Sequence, residues 1–338
     1  MRVCDWIADY LYNQGITRVH GLMGGGAMGL NDGFIKHGKI KYICYHHEQG
    51  AGHAAIGESK FTGKPVVVNP TTGCAGTNCA TSVLNAWQDS VPVIFISGNV
   101  KLDNCSEYIN FTSATKIRKY GVQEHNIVET YKDITKFFKF IWRVEEVAYS
   151  IQKALHIATS DRPGPVWIDI PADIQTAQMP ESFGVFEEED LCPKFNSFQS
   201  ETVKNILANS KRPCILAGYG IRQSNTVQQF VQFIEKYQIP FVSTYGARDY
   251  LPADHPLNIG AVGIKGSRAG NFAMQNCDTM LILGSSLNGS VVGYDVKLFS
   301  PFSYKIMVDI DSNELRKNTA KLDLSFNYSL QEFFKQML

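Results

Sequence analysis

The segment CYHHEQGAGHAAIGE, residues 44–58, contains an abrupt change of pattern. The apolar run at residues 40–45 predicts a buried strand, and the small residues after Glu48 predict a closely packed helix. Glu48 therefore lies where a strand passes into a helix. The helix dipole favours an acid at such a position by about 0.3–1 kcal/mol, so Glu48 alone is compatible with a purely structural role.

Two more glycine-bearing loops follow predicted strands. The first is GLMGGGAMG, residues 21–29, and the second is NPTTGCAGTN, residues 69–78, where a helix is predicted to open near Thr77 or Asn78. Loops at the carboxyl ends of parallel strands offer backbone N–H groups to ligands, and α/β folds bind ligands at this edge. The three loops together predict a binding cleft.

Helical and strand-like patterns alternate along both halves of the chain, which predicts the α/β class with two doubly wound parallel-sheet domains. The predicted bounds are 1–180 and 201–338, joined by a linker at 181–200 that is rich in acids and serines. Helices are predicted at 3–14, 144–159, 202–209, 225–237 and 268–275, and strands at 17–22, 40–45, 65–69, 91–96, 164–171, 213–217, 240–244, 279–284 and 304–309.

Composition excludes several classes of protein. The 32 basic and 32 acidic residues balance, which argues against a nucleic-acid partner. No apolar segment reaches the roughly 20 residues of a membrane helix, and the first residues lack the features of a signal peptide. Eight cysteines without a CxxC pair indicate neither a disulfide scaffold nor a zinc site. We therefore expect a cytoplasmic protein with no membrane partner.

Five motifs together resemble a known family. They are GGGAM (24–28), HHEQGAGHAA (46–55), TTGCAGTN (71–78), RKYGVQEHNIVE (118–129) and RPGPVWIDIPADIQ (162–175). This set resembles the pyrimidine-binding domain of thiamine-diphosphate enzymes of the acetolactate-synthase-like group. The GGGAM and GCAGTN variants are similar to members from surface-polysaccharide gene clusters. The second half of the chain resembles the central domain of the same family.

The resemblance implies a role for each site residue. Glu48 would hydrogen-bond the pyrimidine N1′ of thiamine diphosphate and promote loss of the thiazolium C2 proton. Gln123 would face the substrate, and His47 would either contact the substrate or act only as a cap. The remaining cofactor-binding residues would be small or polar, namely Gly24, Gly25, Thr72, Gly73, Cys74 and Asn78.

Other conspicuous residues have structural explanations. Cys74 has no positioned base in its motif, so a packing role is favoured over a nucleophilic one. His53 is expected on a helix face, and Trp87 and Asp89 are expected to pack and cap. In the second half, Gly218–Gly220 is an isolated GxG, and Ser286 replaces an arginine that is common in relatives. FAD is therefore not expected.

The family's third domain holds the diphosphate through Mg²⁺ and a Gly-Asp-Gly motif, and no such motif occurs in these 338 residues. We expect no metal ligand in this chain, which alone would be inactive. It would be a fragment, half of a split enzyme, or a homologue that has lost catalysis. The leading hypothesis is decarboxylation of a 2-oxo acid, with pyruvate expected, and acyl transfer to a second 2-oxo acid or a keto sugar by a homodimer or tetramer. The alternative is a non-catalytic binding or regulatory subunit.

Overall fold

A computed structural model describes residues 1–187, 197–318 and 320–338. The chain divides into two compact units, Met1–Glu189 and Asp190–Leu338. Part of the predicted linker, residues 188–196, lies outside the described residues. We keep 1–180 and 201–338 as the proposed domain bounds.

Unit 1 contains a six-stranded sheet in which all the paired strands are parallel. Its strands are β1 (Arg18–Gly21), β2 (Lys41–Cys44), β3 (Val66–Asn69), β4 (Val93–Asn99), β5 (Phe137–Phe140) and β6 (Val166–Pro171), in the order β2-β1-β3-β4-β6-β5. The chain moves outward from β1 to β2 and then crosses to β3. The carboxyl ends of β1 and β3 therefore form a topological switch point, where open α/β sheets bind ligands.

Helices cover both faces of this sheet. They are α1 (Val3–Asn13), α2 (Met28–Lys36), α3 (Glu48–Thr62), α4 (Cys74–Thr77), α5 (Ala80–Gln88), α6 (Ser106–Ser113), α7 (Ile127–Tyr131), α8 (Glu145–Thr159) and α9 (Ala172–Thr176). Successive strand side chains point to opposite faces. Accordingly, Ile94 and Ile168 pack in a core with α1, α2, α8 and α9, while Phe95 and Trp167 pack in a second core with α3, α5 and α7.

Unit 2 repeats this architecture. Its elements are α10 (Ser197–Asn209), β7 (Pro213–Ala217), α11 (Gly220–Gln223), α12 (Val227–Tyr237), β8 (Phe241–Ser243), β9 (Asn258–Ala261), α13 (Arg268–Asn276), β10 (Thr279–Leu283), α14 (Gly289–Val292), β11 (Tyr304–Asp309), α15 (Ser312–Arg316), β12 (Leu324–Asn327) and α16 (Leu330–Met337). The parallel sheet has the order β12-β11-β10-β7-β8-β9. Its two cores lie on opposite faces, one with α10, α12 and α16 and the other with α13 and α14.

The predicted fold class is confirmed, and each predicted strand is present within three residues at either end. Three strands were missed, namely β5, β9 and β12, and all three lie at sheet edges. Edge strands are covered incompletely, so their sequences lack the continuous apolar run that identified the inner strands. In the described part of the chain, no helix has the length and apolarity that crossing a membrane requires.

Two helix boundaries were wrong. α10 begins at Ser197, five residues before the predicted start at residue 202 and within the predicted linker. The helix expected to open near Thr77 or Asn78 begins earlier, as the single turn α4 at Cys74, and a second helix, α5, starts at Ala80. The break between them leaves Asn78 as the C-cap of α4. The polar residues of this segment hid the first turn because they give it no apolar periodicity.

Candidate functional site

The candidate site lies at the carboxyl edge of the sheet of unit 1. Three loops leave this edge, after β1, β2 and β3, and they contain the three motifs that the sequence singled out. The parallel register aligns Gly21 of β1 with Cys44 of β2 and with Asn69 of β3. The loops that follow these three strands therefore all begin at the same edge of the sheet.

Glu48 is the first residue of α3 and is buried, with only 8% of its surface exposed. Its Oε2 accepts a hydrogen bond from Nδ2 of Asn78 at 2.9 Å. Among the described residues, no hydrogen-bond partner is found for the other oxygen, Oε1. The site therefore presents a buried carboxyl group with one oxygen fixed and the other open to a ligand.

His47 is the N-cap of α3. Its Nδ1 accepts the backbone N–H of Gln49 at 3.1 Å, and its side chain is exposed. Such a cap satisfies one of the free N–H groups at the start of the helix. This contact accounts for a histidine at the position, and a contact between His47 and substrate stays a prediction.

The loop after β1 contacts the loop after β3. The N–H of Gly26 donates to Oγ1 of Thr71 at 3.1 Å. The neighbouring Gly25 is exposed and has open space around it. Thr72 is 5% exposed, and its Oγ1 is a buried polar atom without a hydrogen-bond partner. Unpaired buried oxygens are rare, and this one is packed against Gly26, where a Cβ atom would overlap it.

Gly73 brings Gln123 to the site. A Cβ atom on Gly73 would overlap the backbone carbonyl oxygen of Gln123, so the two segments are in direct contact. Both residues have positive φ angles, +48° and +59°. The Gln123 side chain is exposed. Residues 50 positions apart in sequence are thus held together through backbone atoms, and the proposed substrate contact of Gln123 stays a prediction.

We expect Gly73→Ala to destabilise unit 1 by about 2–4 kcal/mol, because it adds backbone strain and forces the Gln123 segment away. The matched control is Gly25→Ala, which places a methyl group in open space one loop away. Urea unfolding followed by tryptophan fluorescence measures the difference, since all four tryptophans lie in unit 1. Equal stability of Gly73→Ala and Gly25→Ala would contradict the close contact.

Cys74 differs from its prediction. It was expected to pack, but its side chain is exposed at the first residue of α4. The buried residues of this single turn are Ala75 and Gly76, so Cys74 lies on the opposite, outer face. His53 is exposed on α3, as expected for a helix-face residue. Asp89 accepts hydrogen bonds from Lys60 and Asn85 on the surface.

A buried polar network beneath the site was missed by the sequence analysis. Asp169 of β6 is fully buried, with Ser97 Oγ at 2.6 Å from Oδ1 and Asn99 Nδ2 at 2.7 Å from Oδ2. Trp167 donates its indole N–H to Ser97 at 2.8 Å. Burial raises the pKa of Asp169 to about 7, and the nearby Glu124 carboxylate adds to this rise.

The network reaches the candidate site through Asn99. Its Nδ2 also donates to the carbonyl oxygen of His125 at 3.4 Å, two residues beyond Gln123. Glu124 is buried and accepts hydrogen bonds from Ser106 Oγ at 3.0 Å and from the Tyr120 N–H at 2.9 Å. The only sequence signal was a single acid inside the apolar strand VWIDIP, residues 166–171.

The charges of the site suit a neutral or cationic heterocycle better than an anion. The predicted cofactor-binding and catalytic residues include one carboxyl group and no lysine or arginine. In the described ranges, no group of three His, Cys, Asp or Glu side chains could hold a metal ion. In unit 2, the N–H of Gly220 donates to the carbonyl oxygen of Gly284, and the expected lack of FAD stays a prediction.

Comparison with known proteins gives two family matches. Residues 1–129 match the family model described as thiamine pyrophosphate enzyme, N-terminal TPP binding domain. Residues 200–337 match the model described as thiamine pyrophosphate enzyme, central domain. The first match includes Glu48, Asn78 and Gln123, so the predicted residues lie within the TPP-binding domain.

Two curated relatives illustrate the similarity. The acetolactate synthase isozyme 1 large subunit of Escherichia coli K12 is 33% identical over 314 residues, which are 93% of this chain and 53% of that protein. The acetolactate synthase large subunit of Lactococcus lactis is 32% identical over 338 residues, 98% of this chain and 56% of that protein. The chain thus spans about half the length of these relatives.

A solved structure from Mycobacterium smegmatis, described as a thiamin diphosphate-dependent enzyme, has the same fold. It superposes with a TM-score of 0.83 over 100% of this chain and 62% of that chain, at 18% sequence identity. At this identity the likeness supports the fold alone.

Proposed function

This chain belongs to the thiamine pyrophosphate enzyme family, of which it carries the N-terminal and central domains, and we propose that it supplies the pyrimidine side of a thiamine-diphosphate site in an acetolactate-synthase-like enzyme. The proposed reaction is decarboxylation of a 2-oxo acid, pyruvate in the first instance, with transfer of the acyl group to a carbonyl acceptor. The acceptor is a second 2-oxo acid or a keto sugar.

The observation that carries this proposal is the state of Glu48. A carboxyl group that is buried at a helix N-terminus, with one oxygen held by Asn78 and the other open, is suited to hydrogen-bond a ring nitrogen. The residues present therefore fit the pyrimidine of the cofactor. When bound, thiamine diphosphate supplies the electron sink for decarboxylation and the nucleophilic carbon for the transfer.

The other residues of the candidate site would orient the cofactor ring and the substrate. The exposed Gly25 leaves room for the flat ring to approach the backbone, and the buried Thr72 hydroxyl packs against the neighbouring Gly26 and supports that loop. Oε1 of Glu48, the oxygen that Asn78 does not hold, would hydrogen-bond the ring nitrogen. Gln123, whose backbone carbonyl contacts Gly73, is the residue that we expect to face the substrate.

The proposal extends to parts of the enzyme that these residues do not provide. Mg²⁺ and the diphosphate would be held by a domain like the third domain of the relatives. We also propose a homodimer or tetramer, because a cofactor site made of two half-sites is completed by a second domain or subunit. A cytoplasmic location agrees with the composition.

Titration with two ligands tests the proposal. Because the chain offers contacts to the pyrimidine but no cation for the diphosphate, thiamine and thiamine diphosphate should bind with similar dissociation constants of about 1 mM, roughly 4 kcal/mol. Magnesium should change neither value. Isothermal titration with and without Mg²⁺ gives the four constants.

Two results would contradict it. Tight, magnesium-dependent binding of thiamine diphosphate would reveal a diphosphate site within this chain. Absence of thiamine binding at 10-fold higher concentrations, in a protein with a cooperative thermal transition, would refute the pyrimidine site itself. A Glu48→Ala variant serves as the control, since loss of the carboxyl group should weaken the binding of both ligands.

A further inference from the structure

We propose that Asn78 is the positioning residue for Glu48, and that its amide decides which carboxyl oxygen carries the proton that meets the ligand. The inference rests on the proposed function, because it concerns the same pyrimidine site. It adds a specific assignment: Oε2 is the permanent acceptor, and Oε1 is the oxygen that donates to a ring nitrogen.

The chemistry of the amide leads to this assignment. The Nδ2 group of Asn78 carries two hydrogens and no free lone pair, so it donates to Oε2 and cannot accept from it. A proton on Oε2 would face the amide N–H and lose that hydrogen bond. When Glu48 is protonated, its proton is therefore on Oε1, which has no hydrogen-bond partner among the described residues.

Hydrogen bonds from neighbouring residues fix the backbone around Asn78, so its amide can hold the Glu48 carboxyl group in one orientation. As the C-cap of α4, its own N–H donates to the Cys74 carbonyl oxygen at 3.2 Å. The buried Tyr131 donates its hydroxyl to the carbonyl oxygens of Gly76 at 2.8 Å and Thr77 at 3.2 Å. The turn that carries Asn78 is thus fixed to the core of unit 1.

The helix that carries Glu48 is also fixed relative to this segment. Gly52, one turn after Glu48, lies so close to Ser82 of α5 that a Cβ atom would overlap the serine hydroxyl. Ser82 donates in turn to the carbonyl oxygen of Cys79, next to Asn78. The close approach of α3 and α5 therefore sets the separation between Glu48 and Asn78.

The test compares two ligands that differ in one atom. Thiamine has an acceptor nitrogen at N1′, and its analogue with a C–H group in place of N1′ has none. A hydrogen bond from Oε1 should make the wild-type chain prefer thiamine by about tenfold in dissociation constant. Ligand-observed NMR titration measures these weak constants in the 338-residue chain.

Asn78→Ala should reduce the preference to about threefold or less, because the Glu48 carboxyl group is then no longer held in one orientation and either oxygen can face the ring. Asn78→Asp, which keeps the shape but loses the obligate donor, should reduce it in the same way. The matched control is Asn85→Ala, since Asn85 is also an asparagine of this region but its side chain donates to Asp89 on the surface. Asn85→Ala should keep the tenfold preference.

The outcomes separate the two proposals. If Glu48→Ala removes the preference but both Asn78 variants retain it, the pyrimidine site stands and the positioning role of Asn78 is overturned. If the wild-type chain binds both ligands equally, Glu48 does not donate to the ring and both proposals fall. A general loss of thiamine binding by Asn78→Ala with an unchanged ratio would show a structural role only, and would also overturn the inference.

Discussion

Replacing Glu48 with glutamine is expected to lower turnover by about 10²–10⁴-fold in an active enzyme that contains this chain. The glutamine amide has the same shape and can hydrogen-bond the ring, but it cannot give up and recover a proton. The fold should survive, because loss of the acid from the first turn of α3 costs at most about 1 kcal/mol of helix-dipole stabilisation.

Glu145→Gln is the matched control for this experiment. Glu145 is an exposed acid at the first residue of α8, so it has the same relation to a helix dipole without belonging to the candidate site. Steady-state turnover of both variants, with circular dichroism to check folding, decides the matter. Turnover of Glu48→Gln within a few fold of wild type would refute the catalytic role of Glu48.

The second large effect concerns Asp169 and the pH dependence of stability. Its pKa is raised from 3.8 to about 7 by burial, so the folded state binds a proton that the unfolded state releases. A raised pKa gives stability that is fully present below pH 3.8 and is lost as the pH rises through 7. Between pH 3.8 and pH 7 the free energy of unfolding falls by about 4 kcal/mol, because each unit of pKa difference contributes about 1.36 kcal/mol.

Asp169→Asn should remove this loss. Asparagine can present an N–H group to Ser97 and an oxygen to Asn99, which is the arrangement of a protonated carboxyl group. Relative to wild type, the free energy of unfolding of the variant should therefore rise by about 3 kcal/mol between pH 5 and pH 8. Urea unfolding followed by tryptophan fluorescence measures this difference.

The control is Asp89→Asn, which removes an exposed acid from the same unit. It should change the free energy of unfolding by well under 1 kcal/mol at either pH. A constant difference between Asp169→Asn and wild type from pH 5 to pH 8 would mean that Asp169 is ionised throughout, and the argument from burial would be wrong.

The sequence by itself determined the α/β class and the position of Glu48. Inner strands of a parallel sheet are buried on both faces, so their sequences are continuous apolar runs that can be recognised without a structure. The change from the apolar residues 40–45 to the small residues after Glu48 is likewise visible within one short segment of sequence. The motif order identified the family for the same reason, since each motif is a short contiguous segment.

Only the tertiary structure decided which residues meet at the site. Asn78 contacts Glu48 across 30 residues, Gly73 contacts Gln123 across 50, and Asn99 contacts Asp169 across 70. None of these pairs has a spacing that a helix or a strand would repeat, because each contact depends on how separate loops leave the same sheet edge. The pairing of polar side chains across such an edge is set by packing, and so the contact that orients the Glu48 carboxyl group emerged from the fold.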